Sequence, residues 1–179
     1  MNRLSPQSQE ERVSLLQELM RAFGHDVIRL IDHYLHDRHA AEDLSQDVFL
    51  KVYDHLDDFR NESSYKTWIL AIAANAAKDY LRAAARRVTP METIPEGAPL
   101  PAVESAVVER AQRDQLWRAV DALPGVYREA IWLFYGHELS IEEAARVAKA
   151  SVGAMKTRLH RGRAMLREGL GGGLDYESR

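Results

Sequence analysis

The stretch VTPMETIPEGAPLPAVES, residues 88–105, holds four of the chain's six prolines and shows no periodic apolar face. Proline offers no amide donor and has a fixed φ, so such a run neither continues a helix nor joins a sheet, and it is expected to be an extended tether. In a chain of 179 residues this constrains the fold more than any other feature, because one core cannot span the interruption. The expected organisation is a domain at residues 1–87, a linker at 88–105, a second domain at 106–170 and a flexible tail at 171–179, where Gly171 to Gly173 reads as a helix stop. With 46% hydrophobic residues, each half has apolar surface enough for a core of its own.

Both halves carry the period of helices. Leu15, Leu19, Phe23, Val27, Leu30, Ile31 and Tyr34 recur at three- and four-residue steps, and the pattern breaks at Asp37 to His39. Leu44, Val48, Val52 and Leu56, flanked by Phe49 and Tyr53, form a second stripe opposite Asp43, Gln46, Asp47 and Asp54. After the polar turn RNESS a third helix is expected from about Tyr65 to Arg86, with Trp68, Ile72, Ala76 and Tyr80 as its core row. Beyond the tether, Val107 to Leu123, Tyr127 to Gly136, Ile141 to Ala148 and Val152 to Gly169 read as four more helices. No Val- and Ile-rich alternation suggests a strand. The expected fold class is all-α: two small helical domains, a three- or four-helix bundle and a helix-turn-helix domain, joined by the proline-rich linker.

Several classes of chemistry drop out. With no cysteine there is no disulfide framework, thiolate zinc site or cysteine nucleophile. His33, His36 and His39 are spaced by three but lack a completing carboxylate–histidine pattern, and HELSI at His137 lacks the second His of a zincin helix, so no metal or other cofactor is expected. No run of about 18 apolar residues appears, and the polar amino terminus has no signal-peptide core, which points to a cytoplasmic protein without direct membrane insertion.

Charge is unevenly placed around a net value of −3. Between Asp37 and Glu62 eight acids face three bases; Lys78 to Arg87 has four bases and one acid, and KTRLHRGRAMLR, from Lys156 to Arg167, has five Lys or Arg, a His and no acid. Two separate basic segments favour a polyanionic partner over a solvated face. The second lies within a helix-turn-helix grammar: Ser140 and Glu143 form a capping box, Lys149 to Ser151 makes the turn, and Ser151 caps the following helix. Along that helix Val152, Met155, Leu159 and Leu166 are expected to face inward, with Lys156, Thr157, His160, Arg161 and Arg163 outward.

Taken in order, AEDLSQDVFLKVYDHLDDF, YKTWILAIAANAAKDYLRAAARR and LPGVYREAIWLFYGHELSIEEAARVAKASVGAMKTRLHRGRAML resemble regions 2.2, 2.3 to 2.4 and 4 of the extracytoplasmic-function (ECF) sigma factors, the compact branch of the sigma-70 family. The resemblance covers roughly Val13 to Leu170 and implies a non-enzymatic protein that binds core RNA polymerase, at the beta-prime clamp helices and beta flap, and directs it to promoter DNA. It places Asp43, Gln46, Asp47 and Leu50 on polymerase. It places Phe59, Arg60, Asn61, Ser63, Ser64, Tyr65, Asn75, Lys78, Arg82, Arg86 and Arg87 on the melted minus-ten element, with Phe59 and the following loop as a base-capturing element. Ser151, Lys156, Thr157, Arg158, His160, Arg161 and Arg163 fall on the minus-thirty-five duplex, with His160 and Arg161 toward base edges and Lys156, Arg158 and Arg163 toward phosphates. It also implies control by an anti-sigma factor. Asn75, Lys78 and Arg82 are expected to share a face opposite the Trp68 row, and Trp68 itself is read as core.

The family pattern is not met everywhere. Ala71 replaces a common basic or polar residue, Ala154 a common Thr, and Lys149 a common Gly, where a positive φ would strain a lysine. Two rival readings remain at this level: an autonomous helix-turn-helix regulator, with residues 1–87 as sensor or dimerisation domain, and an enzyme acting on nucleic acid. The second lacks any cluster of carboxylates, histidines or tyrosine spaced as an active site.

Overall fold

The computed structural model describes residues 9–87 and 115–169, and within them every regular element is helical. The expected linker at 88–105, the start of the next helix at 107–114 and the tail at 171–179 lie outside the described residues. The chain divides into two compact units, the first built on the first three helices and the second on most of the later ones.

In the first unit, α1 (Gln9–Leu35), α2 (Arg38–Asp54) and α3 (Tyr65–Arg87) pack pairwise against one another, with a 3₁₀ turn at Leu56–Asp58 after α2. Helix α1 ends in a single left-handed residue, His36 at φ 52°, and Asp37 then caps α2 by accepting from the Ala40 amide at 3.0 Å. The core joins Leu19, Val27, Leu30 and Ile31 of α1 to Ala41, Val48, Phe49 and Val52 of α2. Two polar ties fix the register: Arg12 donates to the Tyr53 carbonyl at 2.8 Å and pairs with Asp57, and Lys66 at the start of α3 pairs with Asp26 of α1 at 3.4 Å.

The buried face of α3 differs from the expected row. Ile69, Leu70, Ala73, Ala74, Ala76 and Ala77 are inside, whereas Trp68 and Ile72 are only half-buried and Tyr80 is exposed. Each four-residue step overshoots a full turn by roughly 40°, so a strict four-residue row wraps around the helix instead of following one side, and it starts at Trp68 away from the buried face. Tyr80 reaches the inner side but opens on a groove shared with Asp37, Ala40, Asp43, Leu44 and Asp47. The alanines leave α3 a thin inner face.

The second unit contains α4 (residues 115–121), α5 (Gly125–Ile131), α6 (Ile141–Ala148) and α7 (Val152–Gly169). Expected as one helix from Tyr127 to Gly136, the middle segment starts at Gly125 behind Pro124 and widens into a π-helical turn at Trp132–Gly136, closed by the His137 amide on the Trp132 carbonyl at 2.9 Å. Trp132 stacks on Trp117 with ring centroids 3.8 Å apart, and its indole N–H donates to Asp121. Gly136 lies directly over that indole: a Cβ there would stand 2.3 Å from Trp132 Cε3. Helix α7 crosses α5 at Gly162, where a Cβ would meet Ile131 Cγ1 at 3.1 Å. With Met155 and Leu159 buried on the same side, this crossing fixes which face of α7 looks outward.

Candidate nucleic-acid interface

The outward face of α2 holds Asp43, Gln46, Asp47 and Leu50, all exposed, at the i, i+3, i+4, i+7 spacing of one helical face. Behind them Ala41, Ser45, Val48 and Val52 are buried, so the backbone that presents the face is held rigidly. Leu50 is 63% exposed, an apolar side chain placed beside acids on a surface. A groove lined by Asp37, Ala40, Asp43, Leu44, Asp47 and Tyr80 continues this face toward α3. The arrangement suits a partner that is basic at its rim and apolar at its centre.

The second cluster surrounds the loop between α2 and α3. Phe59 stacks on Tyr65 with centroids 4.2 Å apart, and Trp68 closes on Phe59 at 5.1 Å and on Tyr65 at 6.4 Å. All three rings are half-buried, and burial raises the Tyr65 phenol above its ordinary pKa. Ser64 caps α3 by accepting from the Thr67 amide at 3.1 Å, while Arg60 and Asn61 are exposed and Ser63 is partly so. Asn61 takes φ 54°, a left-handed conformation that asparagine tolerates better than most residues and that turns the loop outward.

From this cluster a polar ridge runs along α3. Asn75 follows Trp68 by seven residues, which places it only roughly 20° around the helix, and Arg82 and Arg86 continue the same side. One expectation is thus reversed for two of three residues: Asn75 and Arg82 lie on the side of Trp68 and not opposite it, while Lys78 stands about 80° further round. Trp68 joins the candidate surface, and the sequence signal for that was its seven-residue spacing to Asn75. Lys78 reaches over the Tyr34 ring at 5.7 Å, Arg82 pairs with Asp79 at 2.6 Å, and Arg86 Nε donates to the Arg82 carbonyl at 3.2 Å. Arg87 closes α3, and its side chain lies outside the described ones.

The third cluster is the pair α6 and α7. The capping box forms as expected: the Ser140 amide donates to Glu143 Oε2 at 3.0 Å, and the Glu143 amide to Ser140 Oγ at 3.2 Å. The turn is a Schellman motif, with the Ala150 amide on the Ala145 carbonyl at 2.9 Å and the Lys149 amide on the Arg146 carbonyl at 3.2 Å. Lys149 occupies its left-handed position at φ 53°, the strain foreseen for a lysine where Gly is usual. Lys149→Gly is therefore expected to raise stability by about 0.5–1 kcal/mol, the relief of the Cβ clash outweighing glycine's extra chain entropy. Thermal unfolding of the two proteins measures it.

Ser151 caps α7 through the Ala154 amide at 3.1 Å. Around α7, Met155, Leu159 and Gly162 are buried, Leu166 is half-buried, and Lys156, Thr157, His160, Arg161 and Arg163 are exposed. Val152 does not face inward as expected but is 37% exposed, because it begins the helix before α7 reaches the crossing with α5. Thr157 and Arg161 lie near the centre of the outward face, with His160 beside them. Lys156 and Arg163 form one flank. Arg167, absent from the sequence-based set, is exposed on that same flank, eleven residues or about three turns after Lys156. The Arg163 guanidinium stands over Phe134 and Tyr135 at 5.7 and 5.5 Å. Arg158 is turned instead toward Glu129 of α5, 3.8 Å away. Among the described residues no group of three His, Asp or Glu side chains could hold a metal ion.

With this geometry in place, comparison with known proteins adds an independent line. The family profile described as Sigma-70 region 2 matches residues 19–87, and that described as Sigma-70, region 4 matches residues 113–166. The ECF RNA polymerase sigma factor SigM of Bacillus subtilis is 31% identical over 152 residues, covering 85% of this chain and 93% of that protein. The ECF RNA polymerase sigma-E factor of Escherichia coli strain K12 is 32% identical over 155 residues, with 81% of each chain covered. Among solved structures, the sigma factor RpoE of Bartonella quintana in complex with the anti-sigma factor NepR superimposes with a TM-score of 0.66 at 24% identity, covering 88% of this chain and 96% of that one.

Proposed function

From the premise that this chain belongs to the extracytoplasmic-function sigma factors of the sigma-70 family, a transcription initiation factor that directs RNA polymerase to promoters, we propose how its surfaces divide that work. The α2 face with Asp43, Gln46, Asp47 and Leu50 docks on the beta-prime clamp helices of core polymerase, and the second unit meets the beta flap. Phe59, Arg60, Asn61, Ser63 and Tyr65, with Asn75, Lys78, Arg82, Arg86 and Arg87 along α3, hold the melted minus-ten strand. Ser64 supports that loop as the cap of α3. Helix α7 enters the major groove of the minus-thirty-five duplex, with Ser151 at its start.

The observation that carries this reading is the sidedness of α7: its apolar face is sealed against α5 while Lys156, Thr157, His160, Arg161 and Arg163 all remain exposed. A helix so mounted presents cations to phosphates along one flank and side chains to base edges at its centre. Catalysis is left to polymerase, and the chain needs no cofactor. No helix among the described residues is long and apolar enough to cross a membrane. The sigma factor RpoE of Bartonella quintana was solved bound to an anti-sigma factor, and we take this chain to be restrained in the same way, by a protein that occludes its two domains until it is released.

The test is reconstitution. Core polymerase with the purified chain should initiate from specific promoters of its own genome; the absence of specific initiation on any of them would defeat the reading, and tight operator binding without polymerase would favour an autonomous regulator. Within α7 the roles separate further. A bidentate Arg–guanine contact discriminates by about 1–3 kcal/mol, so Arg161→Ala should relax preference at one base pair of the minus-thirty-five element. Lys156→Ala should weaken all sequences alike and flatten the salt dependence by about one charge. Promoter-library binding at several salt concentrations reads both, and identical profiles for the two variants would contradict the division.

A further inference from the structure

We infer that Glu129 is a positioning residue of the recognition helix: it holds the Arg158 guanidinium against α5 and so withholds one cation of α7 from the DNA phosphates. The inference rests on α7 being the minus-thirty-five reader proposed above. Arg158 Nη1 stands 3.8 Å from Glu129 Oε2, an ion pair rather than a hydrogen bond, with the Glu129 side chain only 9% exposed and that of Arg158 27%. With both side chains largely covered, the pair is screened by salt less than one on the open surface.

The position of the pair decides its consequence. On α7 the residue Arg158 lies roughly 60° beyond Arg161 toward the side that packs on α5, whereas Lys156 and Arg163 sit on the opposite flank. It stands beside the close crossing in which Gly162 meets Ile131 and Tyr127. Arg158 is the basic side chain of this helix turned to Glu129, whereas Arg163 stands over Phe134 and Tyr135 on the other flank. Because phosphate attraction is blind to sequence, a cation fixed there lowers affinity for any duplex, and a larger share of binding then comes from side chains at the centre of the face. Glu129 thereby acts on specificity without touching DNA.

The experiment uses holoenzyme assembled from core polymerase and the full chain, with duplexes that contain or lack the minus-thirty-five element, titrated with salt. Glu129→Gln preserves size and removes the charge, freeing Arg158. The slope of log affinity against log salt should steepen by about one on both duplexes, and the preference for the element should fall severalfold. An unchanged slope in a folded Glu129→Gln protein overturns the inference. Arg158→Gln should leave the slope as in the parent; a slope shallower by about one would mean that Arg158 already reaches a phosphate, which also overturns it. If either single variant fails to fold, the double variant, in which both members of the pair are neutral, decides by the same criterion: the parent slope supports the role and a shallower one defeats it. A parent holoenzyme with no preference for the element would defeat the assignment of α7, while the slopes on the element-free duplex would still test Glu129.

Discussion

Replacing Asp43 and Asp47 together by Lys should lower the affinity of the chain for core RNA polymerase by on the order of a hundredfold or more while leaving its helical content unchanged. Like charges brought together at an interface cost several kcal/mol, and about 1.4 kcal/mol is a factor of ten. The fold is insulated from the change. Both side chains are exposed on the side of α2 opposite Ser45, Val48 and Val52, and Lys is at least as good a helix former as Asp. Leu50→Ala should give a smaller loss in the same assay, since it removes exposed apolar area without adding repulsion. Competition against a labelled sigma factor for core enzyme measures both, with circular dichroism as the control. A doubly substituted chain that competes as well as the parent would remove α2 from the polymerase interface and move attention to other exposed surfaces of the first unit.

What the sequence disclosed and what it hid divide along physical lines. Local grammar was legible: the Ser140–Glu143 box, the Ser151 cap and the strained Lys149 turn each depend on residues within a few positions, and each is present in the structure. The exposed α2 face was legible as well, because four positions over two turns are too few for the pitch to matter. Over a six-turn helix the pitch does matter, and a strict four-residue row on α3 misplaced the core by about a third of the circumference over three steps. That error hid Trp68 among core residues and set Asn75 on the wrong side of it. Contacts between distant elements left no signal at all. Nothing in the string marks Gly162 as the crossing point of α5 and α7, or Arg158 as facing Glu129 across twenty-nine positions.

Trp68→Ala should reduce promoter opening by roughly 10- to 100-fold while core binding and minus-thirty-five preference stay at parental levels, and Phe59→Ala should do nearly the same. A base that leaves its stack loses a few kcal/mol, and an aromatic surface returns about 1–3 kcal/mol per base, so removal of that surface acts on opening and not on duplex binding. The three rings are half-buried, Phe59 stacked on Tyr65 with Trp68 tilted to Phe59 and edge-on to Tyr65, which makes them an aromatic platform. Asn75, about two turns further along the same side of α3, has an amide that can both donate to and accept from a base edge. The competing explanation is that Trp68 serves packing. A fully buried Trp would cost about 3–5 kcal/mol on truncation, and both binding and opening would then fall together as the unit unfolds. Half-burial makes a smaller loss the expectation here, to be checked by thermal unfolding. Trp68→Phe provides the finer test: a smaller ring retains a stacking face, so opening should recover most of its parental rate even where packing is imperfect. A pre-melted template should rescue Trp68→Ala in part, since the duplex no longer has to be opened but the base still has no platform. Parental opening rates for Trp68→Ala in a folded protein would show that the rings only pack against one another, and would leave the loop from Arg60 to Ser64 to capture the base alone.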